Sequence, residues 1–225
     1  MNRIRQIIIS TGVVTTLAGS GSGTFADGTG AGASFRNPIS VAASTDGTRL
    51  FVSDLNNHRI RQIVISTGVV TTLAGSGSAE FADGTGVAAS FNYPNAVAAS
   101  PDGTLLFVAD RYNHRIRKIV ISTGVVTTLV GSGTNTFADG TGAGASFNNP
   151  MGVAASTDGT LLFVADYSSR RIRQILGQIV ISTGVVTTLA GSGSGTLFAD
   201  GTGTGASFRN PISVAQPRPT APFSL

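Results

Sequence analysis

The sequence predicts an all-β protein, a β-propeller built from four-stranded antiparallel blades. Glycine accounts for 30 of the 225 residues, and strand-forming Val, Ile, Thr and Phe fill most of the stretches between glycines. A unit of about 56 residues recurs along the chain, a length that suits a small sheet better than one coil of a β-helix. Strands that are apolar on both faces need a neighbouring sheet on each side, as in a propeller. A stacked open solenoid is the alternative.

The repeat is defined by residues at a constant spacing. Arginine recurs every 56 residues at Arg3, Arg59, Arg115 and Arg171, and "ISTGVVTTLAGSGS" begins unchanged at residues 9, 65 and 181. The fourth copy is displaced by insertions at 176–179 and at 197. Such identical segments indicate a structural scaffold, so a binding site for a partner is expected where the units differ.

Four strands are predicted within each unit. In the second full unit they are "AVAAS" (96–100), "LLFVAD" (105–110), "HRIRKIVI" (114–121) and "VVTTLV" (125–130). The first pair is joined by "PDGT" and the last pair by "STG", which are favoured in tight hairpin turns. Short connections in succession predict an up-and-down sheet, and a long glycine-rich connection leads to the next sheet.

The unit boundaries predict an incomplete propeller ring. We expect a partial unit at 1–18, complete blades at about 39–74, 95–130 and 151–190, a terminal strand at 212–215 that closes a repeat region spanning 1–215, and a Pro-rich tail at 216–225. Two interpretations stay open: a fragment of a longer array without independent function, or a homo-oligomer formed through the open propeller ends. The unpaired edge at residues 4–9 is expected to mediate association or aggregation.

The segment "YPNAVAASPDGTLLFVADRYNHRIRKI" at 93–119 resembles the NHL repeat family. The most specific part is "NHRIR", at 57–61 and again at 113–117. The third unit departs from this pattern, because Ser169 and Arg170 replace the Asn and His. The resemblance implies propeller blades, closed in this family into a ring of about six.

Composition and charge narrow the functional classes. The net charge is +4 with Lys118 as the single lysine, and most arginines recur at repeat positions, which is weak evidence for nucleic-acid binding. Without cysteine the chain has neither disulfides nor thiolate metal sites. No apolar run has the length of a signal-peptide core or a membrane span, and localisation stays open.

Repeated polar motifs favour structure over catalysis. Glycine-rich strings such as "GTGAGAS" lack the helix and lysine of a phosphate loop and indicate connections. The "FADG" aspartates are expected to accept backbone amides in Asx-turns, while the Phe anchors the loop; they are Asp27, Asp83, Asp139 and Asp200. Equivalent acids at the second-strand ends predict structural contacts with third-strand arginines; these positions are Asp54, Asp110 and Asp166 with Arg61, Arg117 and Arg173.

Enzyme activity, a cofactor and a metal site are not predicted. Propeller lyases and lactonases similar to NHL proteins hold a metal with inner-strand His or acidic side chains. Here His58 and His114 both lie in the third-strand motif, and the first strands offer neither imidazole nor carboxylate. A metal-dependent lyase or lactonase is the alternative function.

The remaining hypothesis is recognition at the end of the propeller that carries the long connections. The second-to-third-strand loops and strand entries differ between units there, and Arg and Tyr are good recognition residues. The candidate ligand-binding residues are Arg36, Tyr93, Arg111, Tyr112, Tyr167 and Arg209. The expected partner is a protein or a glycan, with RNA as a weaker candidate and no membrane. Neutral drift in exposed loops is an equally open explanation.

Overall fold

The structure is a computed structural model that describes residues 2–177, 184–194 and 198–215. Its described part is all-β, with a two-stranded sheet followed by three larger sheets. The first sheet is the hairpin of β1 (Ile4–Ile8) and β2 (Val13–Ala18). The all-β fold of antiparallel blades in an open arrangement is thereby confirmed.

Each of the three larger sheets contains four consecutive antiparallel strands. Tight DG turns join their first and second strands, and STG turns join the third and fourth strands of the first two of these sheets. Blade 1 comprises β4 (Pro38–Ala43), β5 (Arg49–Asp54), β6 (Arg59–Val64) and β7 (Val69–Ala74). Blade 2 comprises β9 (Pro94–Ala99), β10 (Leu105–Asp110), β11 (Arg115–Val120) and β12 (Val125–Val130). Blade 3 comprises β14 (Pro150–Ala155), β15 (Leu161–Asp166), β16 (Arg171–Leu176) and β17 (Val185–Ala190).

A fifth, two-residue strand completes each blade at its outer edge. These strands come from the long connection that enters the blade: β3 (Gly28–Thr29), β8 (Gly84–Thr85) and β13 (Gly140–Thr141). They pair with β7, β12 and β17. The four strands predicted for each unit omit this fifth strand, because two residues carry no periodicity from which a strand can be recognised.

Apolar contacts between consecutive sheets form the core. One cluster joins Phe51 and Ile60 of blade 1 to Leu106, Val108 and Ile119 of blade 2. Equivalent clusters join blade 2 to blade 3 and the β1–β2 hairpin to blade 1. Both faces of blades 1 and 2 are therefore covered, which matches the two-faced apolar pattern of the strands.

The expected terminal strand at 212–215 is not assigned to a β-ladder in the structure. This segment instead runs beside the inner strand of blade 3, where Ser213 Cα would lie 2.8 Å from a Cβ added to Gly152. Glycine is required at this close approach because a side chain would collide with the neighbouring backbone. The expected tail at 216–225 lies outside the described residues.

Candidate recognition surface at the loop-rich end

The loop-rich end is formed by the second-to-third-strand loops and by the long connections between blades. In blades 1 and 2 the former are single 3₁₀ turns, Leu55–Asn57 and Arg111–Asn113. The next residues, His58 and His114, have left-handed backbones with φ of 53° and 54°. This conformation turns the chain sharply into the third strand and aims both imidazoles at the following blade.

A buried aspartate fixes these loops in each blade. In blade 2, Asp110 is fully buried and accepts hydrogen bonds from Asn92 N (2.8 Å), Asn113 Nδ2 (2.9 Å) and Arg117 Nη1 (2.8 Å). Burial raises the pKa of the Asp110 carboxyl, and the Arg117 charge and these hydrogen bonds oppose that effect. In blade 3 burial raises the pKa of Asp166 to about 6. The acids are therefore committed to holding loops in place.

The partner arginine ties the preceding connection to the blade. Arg117 is fully buried and donates to Ser90 O (3.1 Å), Ala82 O (2.7 Å) and Asp83 Oδ1 (2.6 Å) as well as to Asp110. Blades 1 and 3 repeat these ion pairs through Arg61 with Asp27 and Asp54, and Arg173 with Asp139 and Asp166. Asp27, Asp83 and Asp139 thus bind an arginine in addition to strand groups such as Thr72 N, so the Asx-turn role expected for these three is corrected.

Arginine holds the Phe of the FADG motif that precedes each of the three blades. The Arg115 guanidinium carbon lies 3.9 Å from the centroid of the Phe81 ring, and that of Arg117 lies 4.8 Å from it. Phe81 remains 44% exposed, so cation–π stacking rather than deep burial holds the connection.

The two histidines connect neighbouring blades, a role that the sequence analysis missed. His58 Nδ1 accepts a hydrogen bond from Tyr93 N (3.2 Å), and His114 Nδ1 accepts one from Asn149 N (3.1 Å). At the first junction the equivalent residue Asn2 accepts from Asn37 N through Oδ1 at 2.9 Å. Burial lowers the pKa of His58, with Arg36 and Arg59 acting in the same direction. The neutral imidazole is therefore the form that the junction uses.

Four side chains form a continuous aromatic and basic cluster at the junction of blades 1 and 2. The Tyr93 ring meets the His58 ring edge-on at 4.7 Å and the Tyr112 ring at 5.1 Å. The Arg111 guanidinium lies 4.6 Å from the Tyr112 ring, and its Nε is buried with no hydrogen-bond partner among the described residues. Tyr112 is 42% exposed. We call His58, Tyr93, Arg111 and Tyr112 the aromatic–basic cluster.

The other three candidate residues lie outside this cluster. Arg36 is exposed beside His58, whose pKa its charge lowers, and its backbone N–H donates to Asp54 Oδ1 at 2.7 Å. Tyr167 is half-buried on the equivalent loop of blade 3, and no aromatic contact of its ring occurs within the described residues. Arg209 is exposed on the terminal connection. The structure thus brings together three of the six candidates, Tyr93, Arg111 and Tyr112.

Charge is distributed unequally between the two ends of the blades. The DG turns present exposed carboxylates at Asp46 and Asp158, where hydroxyl and amide donors of neighbouring Ser and Thr lower the pKa. At the loop-rich end the strand-end aspartates are buried and paired with arginine, while Arg36 and Arg209 are exposed. Glu80 is an exposed carboxylate of a connection there.

The described residues that line the cleft between the inner strands carry no ionisable side chain. The cleft has a volume of about 470 Å³ and is lined mainly by alanine, valine and backbone of β4, β9 and β14, with Thr45, Ser100 and Pro101 at the turns. Within the described ranges, no group of three or more His, Cys or acidic side chains could hold a metal. In that same part of the chain, no helix has the length and apolar character needed to cross a membrane.

These features define a class: an open β-propeller segment with a rigid repeated scaffold and a variable loop-rich end. The NHL repeat family model matches residues 91–119, and the other units repeat that segment at a spacing of 56 residues. The resemblance read from the sequence is thereby confirmed.

Two curated relatives are similar to this chain over 151 residues each. Human NHL repeat-containing protein 2 is 32% identical over 151 residues, covering 63% of this chain and 21% of the relative. Protein SUPPRESSOR OF QUENCHING 1, chloroplastic, from Arabidopsis thaliana is 33% identical over 151 residues, covering 63% and 14%. The match thus spans a small part of each relative's length.

Solved structures show the same fold. An auxiliary nutrient binding protein from Bacteroides thetaiotaomicron has a TM-score of 0.61 at 24% identity, covering 78% of this chain and 43% of that one. A chain of a nidogen/laminin complex has a TM-score of 0.54 at 14% identity, covering 82% and 54%. A catalytically inactive His-to-Ala variant of Staphylococcus aureus virginiamycin B lyase, with quinupristin, has a TM-score of 0.51 at 17% identity, covering 83% and 48%.

Proposed function

We propose that this chain is a non-enzymatic binding module whose partner is a protein that docks on the aromatic–basic cluster. NHL-repeat propellers commonly mediate protein interactions. The observation that carries the proposal is the contiguity of His58, Tyr93, Arg111 and Tyr112, which differ from the equivalent residues of blade 3. Rigid aromatic rings beside a guanidinium offer a large contact area at a small cost in side-chain entropy.

A binding role is also supported by the structural contacts that the titratable side chains make. The strand-end aspartates bind arginine, and both histidines accept backbone hydrogen bonds from the next blade. Neither set is oriented into the cleft between the inner strands, whose lining residues carry no ionisable side chain. A lyase of the kind found among the structural neighbours, where a histidine replacement gives an inactive enzyme, would need a group that this cleft does not offer.

The residues of the third unit provide the substitutions that test this surface. A triple variant Tyr93→Asn, Arg111→Tyr, Tyr112→Ser installs the residues that the third unit has at the same positions, so the blade should fold. Lys118→Gln is the control, because it installs the residue of the first and third units at a position on β11 away from the loops. Wild type and both variants are immobilised and exposed to proteins of the source cell, followed by quantitative mass spectrometry.

We expect a specific set of proteins to bind the wild type and the control but not the triple variant. Equal capture by all three chains would contradict the proposed surface. Gel shifts against a structured-RNA pool at two salt concentrations, and a glycan array, are run in parallel. Salt-sensitive RNA binding, or glycan binding lost in the triple variant, would replace the protein partner by that ligand.

A further inference from the structure

Two exposed surfaces lie at opposite ends of the series of blades, and each repeats a face that is buried elsewhere. On the β1–β2 hairpin, Ile7 is 61% exposed and Val14 is 47% exposed. Their equivalents one unit later, Ile63 and Val70, are 0% and 1% exposed, because the preceding sheet covers them. The hairpin therefore presents a face that a preceding sheet would normally cover.

Blade 3 presents the complementary face. Leu189 is 43% exposed, and Phe163 and Ile172 line an open apolar cavity of about 290 Å³ together with Val214 and Ala215. In blade 1 the residues equivalent to Phe163 and Ile172 are Phe51 and Ile60, both fully buried against the following blade. Blade 3 thus presents a face that a following sheet would normally cover.

An unpaired charge accompanies each exposed face. Arg5 occupies the repeat position of the buried arginines, yet it is exposed, and its hydrogen bonds among the described residues go to carbonyls of its own hairpin, Thr15 O (3.2 Å) and Val14 O (3.5 Å). Asp200 occupies the repeat position of Asp27, Asp83 and Asp139, which each bind an arginine 34 residues later. No arginine contacts Asp200 within the described part of the chain. Each lacks the group that the other carries.

The terminal connection and the β1–β2 hairpin each carry one half of a backbone strand pairing. In blade 1, Gly28 pairs with Val70 and Thr29 pairs with Val69. The equivalent terminal residues, Gly201 and Thr202, have no strand partner in the described structure, and the equivalent Val13 and Val14 form an open outer edge of β2. An open edge with exposed valines is a template for strand addition.

We propose that the chain associates head to tail with a second copy of itself, the connection at 198–215 of one copy docking on the β1–β2 hairpin of the other. Asp200 pairs with Arg5 of the second copy, and Gly201–Thr202 pairs with its Val13–Val14. The apolar face of blade 3 covers Ile7 and Val14 of the second copy. A second copy is the occupant because the ion pair, the two-residue strand pairing and the apolar contact each repeat one that the described junctions already contain.

Charge reversal tests the ion pair. Sedimentation velocity over a range of concentrations should show reversible self-association of the wild type, weakened about tenfold or more by Arg5→Asp and by Asp200→Arg. The double variant carrying both reversals should recover association. Arg49→Asp and Glu80→Arg are the matched controls, since both residues are exposed and their side chains make no hydrogen bond in the described residues.

Cysteine cross-linking tests the register. The chain has no cysteine of its own, so Val13→Cys and Thr202→Cys are introduced into separate chains, at positions equivalent to the paired Val69 and Thr29. Mild oxidation of the mixture should give a covalent dimer containing one of each. A wild type that stays monomeric at all concentrations, or charge reversals that fail to rescue each other, or a mixture that gives no mixed dimer would overturn the proposal.

Discussion

The β1–β2 hairpin and strands β6 and β7 have almost the same sequence and very different environments. Residues 4–18 and 60–74 differ only at Ile8, which is replaced by Val64. Nevertheless Arg5 is exposed whereas Arg61 is fully buried with two carboxylates, and Ile7 is 61% exposed whereas Ile63 is 0% exposed. The repeat sequence therefore determines where the strands form, while their burial and ion pairing depend on the neighbouring strand, connection and sheet.

The largest expected difference in stability is between substitutions of Arg117 and of Arg5, which occupy the same repeat position. Arg117→Leu leaves the fully buried Asp110 without its cation, and we expect it to lower the free energy of unfolding by about 3–5 kcal/mol. Arg5→Leu at the same repeat position should change it by less than about 0.5 kcal/mol. Urea unfolding of both variants, at a concentration where the chain is monomeric, checks the difference. Equal losses would show that the environment does not decide the effect.

Ile63 and Ile7, which occupy the same repeat position, should show the next largest difference in the free energy of unfolding. Ile63→Ala creates a cavity between the hairpin and blade 1, with an expected loss of about 2–5 kcal/mol in the free energy of unfolding. Ile7→Ala removes a side chain that solvent already reaches and should cost much less. The same urea experiment measures both, and a large loss for Ile7→Ala in the monomer would contradict the described exposure.

The NHR motif gives a smaller contrast between blades 2 and 3. Asn113 donates to Asp110 and to Glu80 O at 2.9 Å in each case, whereas Ser169 makes no bond to the preceding connection within the described residues. Asn113→Ser should therefore lower the free energy of unfolding by about 1–3 kcal/mol. Ser169→Asn should raise it or leave it unchanged. A loss from Ser169→Asn as large as that from Asn113→Ser would refute the role assigned to the amide.

The smallest expected effect is a dependence on pH at the histidine junctions. Because the pKa of His58 and His114 is lowered in the folded chain, their contribution is complete above the unfolded value of about 6.5 and is lost as the pH falls below it. His58→Asn with His114→Asn keeps an acceptor, as Asn2 does at the first junction. Thermal melts from pH 7.5 to 5 should show a shallower decline for this double variant, by about 0.5–1.5 kcal/mol per junction. Parallel declines would contradict the proposed junction bonds.

The fold could be predicted from the sequence because the repeat period, the DG and STG turns and the two-faced apolar strands all favour blades. The charge contacts of Asp110 and Arg117 could be anticipated as a class, since equivalent acids and arginines recur together. The outer two-residue strands could not, because Gly84–Thr85 has no pattern of its own and pairs only through tertiary contact.

The candidate surface was less predictable. Tyr93, Arg111 and Tyr112 were named because the units differ there, but their contact with one another depends on how blades 1 and 2 pack. His58 and His114 were assigned to a repeat motif without a role, although their position before each third strand was visible. Their acceptor function requires the left-handed backbone and the approach of the next blade's N–H group.

Hydrogen exchange of two matched peptides tests the central claim most directly. Peptides 4–18 and 60–74 differ in mass through Ile8 and Val64, while their intrinsic exchange rates should be nearly equal. In the monomer, β6 and β7 pair on both outer edges, with β5 and β3, whereas the described pairing of β1 and β2 is with each other alone. We predict much slower amide exchange for 60–74 than for 4–18. Equal protection of the two peptides would contradict the account that neighbouring sheets, and not the repeat sequence, determine burial.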